Sequence, residues 1–147
     1  MASSNKSQTP LYDLPEEIFQ QIISHITEPD EYFHLAATSK AMMNKLNPRR
    51  EVLVLETKKF HEYILQFPPI IRRIRLVVFP YNSIMNWALR TKQPMDILWN
   101  VVQDYLAYAP YVIYGKPEWG LRPVWCYALL FNNMDALHLL IDAGLAP

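Results

Sequence analysis

An all-α fold is what this sequence predicts, and three observations carry the prediction. Twelve prolines stand against three glycines in 147 residues, so helix starts and stops are plentiful and the glycine that hairpin turns need is scarce. Apolar residues near the N-terminus (Ile18, Phe19, Ile22, Ile23 and Ile26) recur at helical spacing. Further on, two segments repeat each other. Trp87-Ala88-Leu89, five residues, then Met95-Asp96-Ile97-Leu98 returns as Tyr127-Ala128-Leu129, four residues, then Met134-Asp135-Ala136-Leu137.

The length suits one domain, or two small ones sharing a surface. Apolar residues make up 51% of the chain, which excludes a disordered protein. Lys plus Arg and Asp plus Glu are equal at 14 each, so no overall field draws in nucleic acid or an acidic membrane. The single cysteine, Cys126, has no internal disulfide partner and suits a reducing compartment. Residues 1–10 are polar, without an apolar signal core, and read as a disordered tail. No apolar run approaches the ~20 residues that span a bilayer. The expected location is cytoplasmic and/or nuclear.

The first helix begins at Leu14-Pro15-Glu16-Glu17, with proline at the first position and two carboxylates against the positive helix end. Its apolar residues cover more than half a turn, enough for an internal core, a partner surface, or both. Pro29 interrupts, and Asp30 is the expected cap of a second helix carrying Tyr32, Phe33, Leu35, Ala36 and Ala37. Ser39 is expected to cap a short third helix through Leu46, and Asn47-Pro48 to close the unit. Three helices this short must pack on one another or on a partner.

Leu14-Pro15-x-Glu17-Ile18-x-x-x-Ile22-Ile23-Ser24-x-Ile26, followed by Pro29-Asp30-x-x-Phe33-x-Leu35-Ala36-x-Thr38-Ser39-Lys40, resembles the F-box pattern in order and spacing. The resemblance places an F-box over residues 11–48. It implies that this unit docks on the Skp adaptor of a Skp–cullin–F-box ubiquitin ligase. The contact residues it implies are Leu14, Pro15, Ile18, Ile22, Leu35 and Ser39. The sequence departs from the pattern at Met42, where many F-boxes have tryptophan; methionine fills the same apolar gap adaptably.

Residues 49–81 read as a connector. Val52-Leu53-Val54-Leu55 is too short for periodicity to choose between strand and helix. Phe60, Ile64 and Phe67 predict a helix over 58–67, stopped by Pro68-Pro69. Then apolar residues from Ile70 to Val78 alternate with Arg72, Arg73 and Arg75, and Leu76–Phe79 is a second short strand candidate. The arginines, with Lys58 and Lys59, form either a solvated face or a site for an acidic ligand.

Residues 82–147 resemble two degenerate ankyrin-like repeats. The spacing is about 40 residues against about 33 for an ankyrin unit, so an insertion is implied. Pro123-Val124-Trp125-Cys126-Tyr127-Ala128 sits where that family has its Thr-Pro-Leu-His-x-Ala start, altered throughout. Asn132-Asn133 takes the inter-helix turn, asparagine being the best stand-in for glycine at positive φ. Leu137, Leu140 and Ile141 are expected to face inward, Gly144 to cap the last helix, and Leu139 and Leu145 to await a further repeat. On this reading the array is the front part of a longer one. An F-box followed by such repeats is a layout similar to that of fungal proteins.

The insertion, Ala109 to Arg122, is expected to form a long loop. Tyr108, Tyr111, Tyr114 and Trp119, in and beside it, either fill the core between the repeats or bind a target protein, as such side chains often do.

Chemistry is the missing element. His25, His34, His61 and His138 show no zinc spacing with one another or with Cys126, which is expected at a buried repeat position. Glu16 and Glu17 are first-turn charges. Gly115, Gly120 and Gly144 lie too far apart to cradle a phosphate. The expectation is a protein-binding adaptor with no catalytic residue, metal or cofactor. The rival expectations are a scaffold outside any ligase, in which the first three helices only cap the repeats, and a truncated product without activity. Exposure of Ile18 and Ile22 is what separates adaptor from scaffold.

Overall fold

A computed structural model describes residues 13–68, 70 and 83–147. Its elements are α1 (Glu16–Ile23), α2 (Pro29–Ala36), α3 (Lys40–Lys45), α4 (Asn47–Ile64), α5 (Ile84–Arg90), α6 (Met95–Tyr108), α7 (Pro110–Tyr114), a 3-10 turn (Pro117–Trp119), α8 (Val124–Leu130) and α9 (Met134–Asp142). Among the described residues there is no strand, only the isolated antiparallel bridge Lys116–Leu121. The fold is all-α. The N-terminal tail, the arginine cluster and the Leu76–Phe79 strand candidate lie outside the described residues.

Local chemistry explains the helix starts. Pro15 precedes α1, and Glu16 and Glu17 fill its first turn. The cap position of α2 belongs to Glu28, with Pro29 first in the helix. Asp30, the expected cap, sits instead in the first turn, because proline's fixed φ starts the helix one residue earlier. The Ser39 Oγ caps α3 by accepting from the Met42 N–H at 3.1 Å.

The boundary expected at Asn47-Pro48 is in fact the start of the longest helix. Leu46 ends α3 and caps α4 in one step, and Pro48 lies in the first turn of α4. The helix buries Arg50, Leu53, Val54, Thr57, His61 and Ile64, a single stripe at helical spacing. Half of that stripe is polar, so the ambiguous Val52–Leu55 run hid a helix that hydropathy alone does not reveal. Val52 faces solvent while Leu53 and Val54 face the core.

The two repeats are helix pairs, α5–α6 and α8–α9, each turning through one positive-φ residue, Lys92 (φ 54°) and Asn132 (φ 53°). Both turns are Schellman motifs. Gln93 N–H donates to the Ala88 carbonyl and Lys92 N–H to that of Leu89; Asn133 and Asn132 do the same to Ala128 and Leu129. Gly144 and Leu145 close α9 in the same way on Ile141 and Leu140.

The insertion is ordered rather than a long loop. It comprises α7, the 3-10 turn and the Lys116–Leu121 bridge, and it buries Ile113 and Leu121. Gly115 (φ 82°) is required there, because a Cβ would lie 2.8 Å from the Pro123 nitrogen.

One core runs the length of the described chain. Phe19, Ile23, Tyr32, Phe33 and Leu46 share it with Leu89, Leu98, Tyr105, Ala128 and Leu140. α2 packs on α5, α4 on α5 and α6, α8 on α5, and α9 on α6. Arg50, at the start of α4, reaches Asp104 on α6 at 2.5 Å and Asn47 Oδ1 at 2.7 Å, with almost no solvent access.

Three expectations about the C-terminal pair are corrected. Cys126 is only half-buried, because it sits on the side of α8 away from Val124 and Ala128. Ile141 faces solvent, while Ala136 and Leu140 take the inward positions and Leu137 packs at their edge. Leu139 and Leu145, expected to be uncovered, pack against the core.

Candidate protein-docking surfaces

α1 divides its apolar residues between two faces. Phe19 and Ile23 are buried, and Ile26 just beyond the helix joins them. Ile18 and Ile22, one turn apart, remain 47% and 44% exposed. The buried set, three large side chains, is sufficient to anchor so short a helix, and each buried side chain of this size contributes about 1.5–3 kcal/mol. The other pair gains little from the fold as it stands.

Polar contacts fix the orientation of α1. Lys45 Nζ donates to Glu16 Oε2 at 3.0 Å and lies 5.0 Å from the Phe19 ring centroid. Gln20 Nε2 donates to Glu16 Oε1 at 2.7 Å. The hydrogen bond from Gln20, then that from Lys45, holds the Glu16 carboxyl below the usual carboxylate range. The Arg49 guanidinium donates to the Ile26 carbonyl just after the helix.

Of the six residues expected to meet an adaptor, Pro15, Ile18 and Ile22 are exposed on or beside α1. Leu14 and Leu35 are half-buried and pack against the shared core. Ser39 is exposed, with its hydroxyl oxygen accepting in the α3 cap. Met42 is buried in the chain's own core.

The aromatic residues fall into two groups. Tyr108, at the end of α6, and Tyr114, at the end of α7, are exposed. The negative charge of Glu51 on α4 pushes the Tyr108 phenol up. Tyr111 and Trp119 are occupied within the chain. The Tyr111 hydroxyl shares a 2.8 Å hydrogen bond with His61 Nδ1, and its ring centroid lies 5.2 Å from those of His61 and Trp119. Burial pushes the Tyr111 phenol up to about 12 and the His61 imidazole down to about 4. Lys116 Nζ closes this cluster, 4.0 Å from the Trp119 centroid. Phe60, Ile64 and Leu121 surround it, so the inserted segment is seated on α4.

Sequence reading did not find His61 as an anchor, nor the bond of 2.6 Å between Thr57 Oγ1 and the Tyr105 hydroxyl. The signal was present: Thr57, His61 and Ile64 continue the inward stripe of α4. Among the described residues, no group of three His, Cys, Asp or Glu side chains is arranged to hold a metal ion. No helix among them is long and apolar enough to cross a membrane.

Comparison with protein-family models, curated proteins and solved structures returned no match to this chain.

Proposed function

We propose that this chain is a protein-binding adaptor in which α1–α3 form an F-box that docks on the Skp adaptor of a ubiquitin ligase. The helix pairs α5–α6 and α8–α9, read as degenerate ankyrin-like repeats, present a target-binding surface to which Tyr108 and Tyr114 contribute. The proposed role involves no catalysis by the chain itself, and it belongs to the cytoplasm and/or nucleus. One observation carries the reading: Ile18 and Ile22 stay half exposed on a helix whose neighbouring Phe19 and Ile23 are buried. Apolar side chains paired in this way favour a partner surface.

The test is binding of the purified chain to purified Skp adaptor, with Ile18→Glu as comparison. A charge forced into an apolar interface costs several kcal/mol, so binding should weaken by roughly 100-fold or more while circular dichroism stays unchanged. Unimpaired binding by Ile18→Glu, or none by the unaltered chain, would refute the assignment.

The continuous core favours a second reading, a scaffold outside any ligase. Under it α1–α3 serve as an N-terminal cap for the repeats, a role supported by the packing of α2 on α5 and by the core that Phe19 and Phe33 share with Leu98 and Leu140. Under that reading the unaltered chain leaves the Skp adaptor unbound.

A further inference from the structure

The two helix pairs permit a position-by-position comparison that points to an interaction surface. Aligning Trp87-Ala88-Leu89 with Tyr127-Ala128-Leu129, and Met95-Asp96 with Met134-Asp135, pairs Leu89 with Leu129, Leu98 with Leu137, and Val102 with Ile141. The first helix of each pair closes in the same way, with matching Schellman bonds and a single positive-φ residue, and the second turn is one residue shorter.

Burial is what differs. Leu89 and Val102 are each 1% exposed, and Leu98 is buried as well. Their counterparts Leu129 and Ile141 are 49% and 42% exposed, with Leu137 half-buried between them. The first pair has α8 packed on α5 and α9 on α6, in addition to α2, α4 and α7. The second pair keeps the apolar side chains exposed, and Leu130 and Met134, on either side of the turn, are exposed as well.

A polar feature repeats the asymmetry. The Leu89 carbonyl accepts the Lys92 N–H and also the Asn133 side-chain amide, which donates across the pair-to-pair contact at 3.0 Å. The Leu129 carbonyl accepts the Asn132 N–H in the same way. Among the described residues, no side chain donates to it.

We propose that the outer face of α8–α9, centred on Leu129, Leu137 and Ile141, docks a helix–turn–helix hairpin of a partner protein. That hairpin stacks as α8–α9 stack on α5–α6 and carries a carboxamide side chain at its turn that donates to the Leu129 carbonyl. The occupant is specified by continuity with the contact inside this chain: the same apolar positions, Schellman closure and second acceptor site recur one unit further along. This surface lies apart from α1, and its test does not depend on the adaptor reading.

The probe is the full chain with a second copy of residues 117–147 appended after Pro147, which brings the natural stacking face and its Asn133 equivalent. Melting temperature and hydrogen exchange are measured with and without the appended copy. Stacking should raise Tm by roughly 5 °C or more and slow amide exchange through 129–141 by about tenfold or more. Both gains should vanish when Leu129→Glu and Ile141→Glu are placed in the original copy; these positions are exposed, and circular dichroism of the unextended double variant verifies its fold. Asn133→Ser in the appended copy alone keeps its helix cap and should lose part of the gain. The proposal is overturned if the appended copy changes neither Tm nor exchange, or if the gain survives the two glutamates. It is equally overturned if sedimentation shows the unextended chain pairing with itself through this face, with loss of the dimer in Ile141→Glu.

Discussion

Asn133 joins the two helix pairs through a single side chain: its Nδ2 donates to the Leu89 carbonyl at 3.0 Å while its Oδ1 accepts the Ala136 N–H at 3.1 Å. It is buried, so neither bond is exchanged for water without cost. Asn133→Ala removes the cap of α9 and the link to α5 together, at a cost of about 2 kcal/mol. Asn133→Ser keeps a capping oxygen and loses only the link, at about 1 kcal/mol. Urea denaturation of the two variants measures the difference. No loss of stability in Asn133→Ser would mean that the link to Leu89 contributes nothing.

α1 provides a contrast within one turn. Phe19 has no solvent access and packs in the shared core, whereas Ile18 beside it is half exposed. Phe19→Ala should destabilise the chain by about 3–5 kcal/mol, the range for emptying a buried aromatic site. Ile18→Ala should cost about 1 kcal/mol or less. Chemical denaturation checks both values. Similar losses at the two positions would place Ile18 in the core and remove the physical basis for an adaptor surface there.

How much of this was legible in the sequence depends on the kind of residue that carries each element. The all-α class, the Ser39 cap, the positive-φ turn at Asn132 and the Gly144 cap follow from local chemistry, and the structure has each of them. The exposed pair Ile18 and Ile22 was legible as apolar excess; which side of α1 the core takes depends on residues far along the chain. α4 was read in pieces because Arg50, Thr57 and His61 occupy inward positions that hydropathy scores as outward. For Tyr111 and Trp119 the sequence leaves core filling and target binding both open, because their partner, His61, lies 50 residues from Tyr111. The repeat pattern puts Ile141 inward, but the narrow inner face of α9 is filled by Ala136 and Leu140.

The Arg50–Asp104 pair should be costly to break from either side. Both side chains are largely withdrawn from solvent, and their atoms meet at 2.5 Å. Burial opposes the Arg50 charge; the hydrogen bond to Asp104 and the neighbouring Tyr32 outweigh it, and the guanidinium is held above its ordinary range. Asp104→Asn keeps the shape and leaves a buried cation without its counter-charge, which costs about 3–5 kcal/mol. Thermal melts of Asp104→Asn, Arg50→Met and the double variant resolve the coupling. The double variant should be more stable than Asp104→Asn alone, since it removes the stranded charge. Strict additivity would show that the pair does not couple α4 to α6.

His61 makes stability depend on pH with a sign that burial fixes. In the folded chain burial lowers its pKa from the ordinary 6.5 to about 4. The folded state therefore stays neutral at a pH where the unfolded chain already takes up a proton. The stabilisation this difference provides is complete above pH 6.5 and is lost as pH falls toward 4. A shift of this size corresponds to about 3 kcal/mol, since each unit of pKa is worth about 1.4 kcal/mol. The aromatic cluster of Tyr111 and Trp119 encloses the ring, so protonation there also loosens the seating of the inserted segment on α4. His61→Gln keeps a polar partner for the Tyr111 hydroxyl and does not titrate. Melting temperature measured in steps from pH 7.5 to 4.5 should fall more steeply for the unaltered chain than for His61→Gln. Carboxylates titrate in both proteins and cancel in the comparison, which leaves the histidine as the difference. Parallel pH profiles would mean that His61 has the same proton affinity folded and unfolded, and that the cluster around it is open to water.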